Sequence, residues 1–249
     1  MQTPETKSVQ LGFNSNTGLV RELNEDSFFT IPAENIYMVA DGVGGGKSGD
    51  LASETAVEEM ALFVRDNDIN EIETSAGIRR YFDRCVRNAN AVVYKLAMSD
   101  EDNFGMATTI VLVYIRDHKA YFMNIGDSRA YILRQGKLTQ ITEDHTYVNT
   151  LVKCGEITEE DAKTHMQRNI ITRALGADQD VLPDFYEENL EEGDIILLCS
   201  DGLYGDVSEE DIIEILENDQ AMQDTCQTLI EKALEGGGHD NITAVCLKI

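Results

Sequence analysis

Basic residues are scarce in this chain: 20 Lys and Arg stand against 46 Asp and Glu in 249 residues, a formal net charge of −26. A surface of that sign repels DNA, RNA and anionic lipid, so neither a nucleic-acid nor a membrane partner is expected. Cysteine is sparse as well. Cys85, Cys154, Cys199, Cys226 and Cys246 are odd in number, far apart and without a C-x-x-C pair, which argues against a disulfide framework or a zinc ribbon. Several of them sit in apolar runs and are expected to pack as small hydrophobes. No stretch approaches the roughly 18 apolar residues of a membrane span, and the opening MQTPETKSVQ has no apolar leader core, so a soluble, cytoplasmic chain is expected. The four histidines (His118, His145, His165, His239) lack the i, i+4 spacing of a helical zinc site, and no G-x-S-x-G nucleophile motif occurs. No repeat, low-complexity tract or proline-rich linker divides residues 1–249, which fit one domain with an ample core.

The hydrophobic pattern is of mixed period. Residues 36–40 read as a buried strand ending at Asp41, while 53–65 and about 76–98 repeat with helical spacing. Three β-type runs follow at 108–115, 119–125 and 129–134, separated by turn signals as in an antiparallel meander. Residues 145–176 are polar and irregular, and 145–170 are expected to form a mobile flap. A strand at 194–200, helices at 208–218 and 222–235, and a last strand at 241–248 complete the chain. Strands at both ends and in the middle, with helices grouped between them, imply packed sheets flanked by helices.

Two short motifs are misleading. Residues 44–49 satisfy G-x-G-x-x-G and end in Gly46-Lys47-Ser48, but Asp41-Gly42 separates the glycines from the strand, and the first glycine of a P-loop would fall on Asp41. Asp66, Asp68 and Asn70 begin like a calcium loop, yet its sixth and twelfth positions hold Glu71 and Gly77, so a solvated helix exit is the better reading.

Four acidic clusters, at 21–28, 38–46, 197–203 and 237–245, set carboxylates beside glycine or at the end of an apolar run. Brought together, they form an all-oxygen site suited to a hard cation, Mg²⁺ or Mn²⁺, and because they span most of the chain they imply one centre in one domain. Their order is more specific than any one of them. Arg-x-x-Asn-Glu-Asp at 21–26, Asp-Gly-x-Gly-Gly at 41–45, Gly-Asp-Ser-Arg at 126–129, Ser-Asp-Gly-Leu at 200–203 and Asp-Asn at 240–241 resemble the metal-dependent Ser/Thr protein phosphatases of type 2C. Asp144-His145, Arg168-Asn169 and the stretch 171–176 are similar to the bacterial branch of that family.

The resemblance implies an α+β fold, an αββα sandwich of two mostly antiparallel sheets with helices outside. It implies that Asp41 bridges two metals, that Gly42 lends a carbonyl oxygen, that Asp201 and Asp240 complete one metal, and that Asp26, with Glu25 nearby, supports the other. Asp127 would help Asp201 hold a third ion, so the expected cofactor is two to three ions of Mn²⁺ or Mg²⁺. Arg21 would grip the substrate phosphate; its bland alternative is a surface ion pair with Glu22 or Glu25. The implied reaction is hydrolysis of phosphoserine or phosphothreonine in proteins by a hydroxide shared between the metals, with no covalent intermediate. Expected partners are phosphoproteins and a cognate Ser/Thr kinase, and a monomer is expected. Animal relatives place a histidine after Asp-Gly as a proposed general acid; Val43 cannot serve, which leaves a metal-bound water as the default donor. The competing reading is a non-catalytic metal-binding regulator on the same fold, although all the metal aspartates are present.

Overall fold

The computed structural model describes residues 9–44 and 48–249. The opening residues read as leaderless and the Gly45-Gly46-Lys47 part of the glycine cluster lie, apart from Val9 and Gln10, outside the described residues. In chain order the strands are β1 (Gln10–Asn16), β2 (Asp26–Ile31), β3 (Ile36–Val43), β4 (Ala107–Thr108), β5 (Ile110–Arg116), β6 (Lys119–Ile125), β7 (Arg129–Arg134), β8 (Lys137–Gln140), β9 (Asp184–Asn189), β10 (Ile195–Cys199) and β11 (Ile242–Lys248). The helices are α1 (Gly49–Asp66), α2 (Ser75–Ser99), α3 (Tyr147–Lys153), α4 (Glu159–Thr164), α5 (Asp201–Tyr204), α6 (Glu209–Glu217) and α7 (Met222–Gly236).

The strands form two antiparallel sheets, one ordered β1-β11-β10-β7-β8 and the other β2-β3-β5-β6-β9 with the short β4 on β3. Alternation along each strand divides the apolar residues into three layers. Ile110, Leu112 and Tyr114 face α1 and α2, whereas Val111, Val113 and Ile115 face the other sheet. Likewise Ala130 and Ile132 point between the sheets while Tyr131 and Leu133 point toward α6 and α7. This is the expected αββα sandwich, since strands buried on both faces need a covering layer on each side.

Local chemistry explains the longest helix. Thr74 caps α2 by accepting a hydrogen bond from the Gly77 amide, and Ile78, Phe82, Cys85, Ala89, Val93 and Ala97 place one buried stripe along it.

Three expectations change. The run 108–134 is not a single meander: β5 and β6 pair, but β7 crosses to the other sheet and pairs with β10 and β8. Strand alternation cannot tell which sheet receives a strand when both faces of both sheets are apolar. The strand at 36–40 does not stop at Asp41 but continues to Val43, because Gly42 and Val43 pair with Thr108 and Ala107. Residues 145–176 are not irregular throughout; they contain α3 and α4, short helices capped by Thr146 and Thr158. Their apolar content is too small to show a period, with only Val148 buried between them. The excursion is closed at its base by the Thr146–Ile171 bridge.

Candidate metal centre and phosphate site

Asp26 and Asp41 face each other in register across β2 and β3. Asp41 continues the Tyr37–Val39 alternation, so it caps one end of the apolar layer between the sheets. Its backbone is fixed on both sides: the amide donates to Thr109 Oγ1 at 2.9 Å, and the carbonyl accepts from Thr108 Oγ1 at 2.9 Å and from the Thr109 amide at 2.9 Å. Thr109 Oγ1 in turn lies 2.6 Å from Ser128 Oγ, which ties β3 to the turn between β6 and β7 that carries Asp127.

Gly42 permits the approach of the chain on the other side of Asp41. Its amide donates to the Glu25 carbonyl at 3.0 Å, and a Cβ there would lie 2.1 Å from the Gly49 carbonyl oxygen. Glu25 sits close by, accepting from the Gly49 amide through Oε1 at 3.2 Å.

Asp26 is buried. Its Oδ2 accepts from Ser200 Oγ at 2.7 Å, while Oδ1 has no hydrogen-bond partner among the described residues. Ser200 lies between β10 and α5, so the same hydroxyl places Asp201, the first residue of α5, beside the two aspartates of the opposite sheet. Asp127 is buried in the turn before β7. Tyr204 Oη donates to its carbonyl at 3.0 Å, and the Arg129 guanidinium lies 3.5 Å from the Tyr204 ring centroid while gripping Asp144 at 2.7 Å.

Arg21 meets neither Glu22 nor Glu25 but Asp240, with Nη2 2.7 Å from Oδ2. The other Asp240 oxygen accepts from the Asn241 amide at 2.8 Å. Asn241 organises the arginine loop: its Oδ1 accepts from the Glu25 amide at 2.8 Å, and its Nδ2 donates to the Thr17 and Leu23 carbonyls, each at 2.9 Å.

These carboxylates make one another costly to ionise. Burial, then Asp201 and Asp240, push Asp26 up to about 7; burial, then Asp201 and Asp144, push Asp127 up to about 7. Burial and Asp240 raise Asp201 to about 6, against the opposing pull of Asp41, Arg21 and Arg129. Asp41 is raised well above its ordinary range by burial and then by Asp26, Asp201, Asp127 and Asp240. Carboxylates held together against their own repulsion, with one buried oxygen unpaired, suit a hard divalent cation, whose charge would reverse that penalty. Among the described residues no three acidic, imidazole or thiolate groups close around a single point. Asp240 is turned to Arg21.

The protein phosphatase 2C family model matches residues 20–236. The chain belongs to that family. It is 35% identical over 239 residues to the serine/threonine phosphatase stp of Listeria innocua, covering 95% of this chain and 94% of that protein. The structure of the serine/threonine phosphatase Stp1 from Staphylococcus aureus superposes with a TM-score of 0.91 at 31% identity, covering 100% of this chain and 98% of that one. The catalytic domain of the serine/threonine protein phosphatase PstP, solved with 2 manganese ions, is 36% identical with a TM-score of 0.83, covering 96% and 97%. The likeness to Stp1 covers the whole chain, so it extends beyond the family match and includes the segment carrying Asp240.

For this family member, the fold brings the residues singled out in the sequence to one end of the sandwich. Ser128, Ser200 and Asn241 lie within the motifs and Thr109 at the start of the run 108–115, but nothing in the sequence assigns them a role. The available signal is a small polar residue interrupting an apolar strand end, as Thr108-Thr109 and Ser200 do. His145 is buried and hydrogen-bonded on both ring nitrogens: its Nδ1 accepts from the Gly126 amide at 3.0 Å, which leaves Nε2 to donate to Asp184 Oδ2 at 3.2 Å. Burial keeps His145 below its ordinary range, consistent with a neutral ring fixing the turn next to Asp127.

Proposed function

We propose that the chain hydrolyses phosphoserine and phosphothreonine in proteins at this acidic cluster, using Mn²⁺ or Mg²⁺. The observation that carries the reading is the placement of Asp26, Asp41, Asp127, Asp201 and Asp240, from both sheets, beside Arg21 at one end of the sandwich. The presence of manganese in the PstP structure supports it. Asp41, with the Gly42 carbonyl, would hold two ions together; Asp201 and Asp240 would complete one, Asp26 and Glu25 would support the other, and Asp127 with Asp201 would take a third. When bound, such ions lower the pKa of a shared water and neutralise phosphoryl oxygens. Arg21 orients the phosphate through two parallel guanidinium donors and exchanges its contact with Asp240 for the incoming dianion. Ser200 and Thr109 keep Asp26 and Asp41 aimed at the cluster, so little reorganisation is needed during reaction. Val43, partly exposed at the rim, has no proton to give, and the leaving oxygen takes its proton from water.

The substrates are phosphoproteins, and the natural setting is a bacterial cytoplasm in which a Ser/Thr kinase supplies them. Among the described residues no helix is long and apolar enough to cross a membrane. The protein acts as a monomer in this reading.

The deciding assay is p-nitrophenyl phosphate hydrolysis after chelation and dialysis. Activity is expected to be absent in EDTA and to return with Mn²⁺ far more than with Ca²⁺, whose longer bonds and higher coordination number suit a compact site poorly. Full activity in EDTA would exclude the metal mechanism. Metal binding without turnover would favour the non-catalytic regulator instead.

Residues 145–170 form the flap in this proposal, because His145 at their base is bonded to the turn before Asp127, while Met166 and Ile170 are exposed. Replacing the segment with a short linker should change phosphopeptide turnover more than p-nitrophenyl phosphate turnover. An equal change in both would remove any role in substrate choice.

A further inference from the structure

The loop that carries Arg21 also carries three aliphatic side chains left in water. Leu19, Val20 and Leu23 are 68%, 63% and 65% exposed, on a molecule whose surface is otherwise dominated by acidic residues. Scattered exposed aliphatics are ordinary. Three within five residues of one loop, bracketing the phosphate arginine, are a local concentration that the fold does not use.

The loop is also held rigidly. Asn241 Nδ2 bonds the Thr17 and Leu23 carbonyls, each at 2.9 Å, at either end of the segment. The Leu19 amide donates to the Gly238 carbonyl at 2.7 Å, and the Gly18 amide to Asn16 Oδ1 at 2.9 Å. Gly18 has φ +79°, and a Cβ there would lie 2.2 Å from the Asp240 carbonyl oxygen, so the loop is seated directly on the chain bearing Asp240. The aliphatic side chains are therefore presented by a backbone already ordered, and a ligand that covers them gains apolar contact without a large ordering cost.

We propose that Leu19, Val20 and Leu23 form a specificity ridge that receives an apolar side chain flanking the phosphorylated residue of the substrate. The inference rests on the reading of Arg21 as the phosphate ligand. The occupant follows from continuity with that site. An extended peptide advances about 3.3–3.6 Å per residue, so with its phosphate on Arg21 the residues one or two places away lie over Arg21's own sequence neighbours. Those neighbours are aliphatic on both sides, with Glu22 between Arg21 and Leu23. The ridge would thus favour phosphopeptides with Leu, Ile or Val beside the phosphoresidue.

The test uses the full-length Mn²⁺-loaded protein and three substrates: p-nitrophenyl phosphate and two phosphothreonine peptides that differ only in having Leu or Gly on both sides of the phosphothreonine. The wild type should prefer the Leu peptide by about tenfold in kcat/KM, the scale of discrimination available from a few apolar contacts. The triple variant Leu19→Ser, Val20→Ser, Leu23→Ser should lose that preference through a raised KM for the Leu peptide alone. Its rates on the Gly peptide and on p-nitrophenyl phosphate should be unchanged, and Leu23→Ile should retain the preference. Because all three side chains are exposed, folding is not expected to suffer, and a melting curve verifies this. Equal wild-type rates on both peptides, or a preference that survives in the triple variant, would overturn the proposal. A uniform fall on all three substrates would overturn it too, assigning the aliphatic residues to placement of Arg21. Sedimentation showing a wild-type dimer that the triple variant abolishes would assign the ridge to a second copy of the chain instead. Wild-type protein inactive on every substrate in Mn²⁺ would overturn the phosphatase reading itself, and the inference with it.

Discussion

Asp41→Asn is expected to reduce Mn²⁺-dependent turnover on the order of 10³-fold or more and, at the same time, to raise the melting temperature of the metal-free protein. The two effects share one cause. Asp41 stands opposite Asp26 in register and close enough to Asp201, Asp127 and Asp240 for each to hinder its ionisation. A carboxylate so placed is useful to a cation and costly without one. Removing its charge relieves the other members of the cluster, a case of stability gained where function is lost. The pH dependence follows in sign. Asp26 and Asp127 titrate at about 7 and Asp201 at about 6 in the folded chain, all above the ordinary 3.8. The folded state therefore holds more protons than the unfolded state between those limits, and the metal-free protein loses stability as pH rises through that window. The advantage of Asp41→Asn should be small near pH 4 and grow as pH rises, because the folded-state pKa of Asp41 is raised well above its ordinary value. Added Mn²⁺ should reverse the order, stabilising the wild type and leaving the variant nearly unaffected. Calorimetry of both proteins across pH, with and without Mn²⁺, reads each part. An Asn variant that melted lower than the wild type at pH 7 without metal would show that Asp41 is held by favourable contacts, and would contradict the repulsion ascribed to it.

The second large effect concerns Arg21 and Asp240, which the structure joins at 2.7 Å. Arg21→Ala removes a charge-assisted contact worth roughly 1.5–3 kcal/mol, so kcat/KM should fall on the order of 10- to 150-fold, mainly through KM. Affinity for Mn²⁺ should not fall, since Arg21 and a cation compete for the same Asp240 oxygen. Asp240→Asn should weaken Mn²⁺ binding and lower kcat, with partial recovery at high Mn²⁺. Because the two residues touch, their effects should not add, and the double variant should be less impaired than the product of the single losses. Steady-state kinetics over a Mn²⁺ titration separates the patterns. Loss of metal affinity in Arg21→Ala, with Asp240→Asn altered only in KM, would reverse the assigned roles.

What the sequence by itself determined is the chemistry and the approximate elements. Runs such as 119–125 and 129–134 have a period and composition that only a strand accommodates, and the helix at 76–98 carries its own cap and apolar stripe. The acidic motifs were legible for a similar reason: a carboxylate next to glycine at the end of an apolar run satisfies no packing rule and therefore stands out. Tertiary structure alone decided three other things. It sent β7 to the opposite sheet from β6, a choice hidden because both strands are apolar on both faces. It paired Arg21 with Asp240 rather than with Glu22 or Glu25, since contact between residues 219 positions apart depends on how Asn241 folds the loop at 17–23 against the final strand. And it gave Ser200, Thr109 and Asn241 their positioning work, because a hydroxyl or amide has no meaning as a brace until a second chain segment supplies the group that it braces.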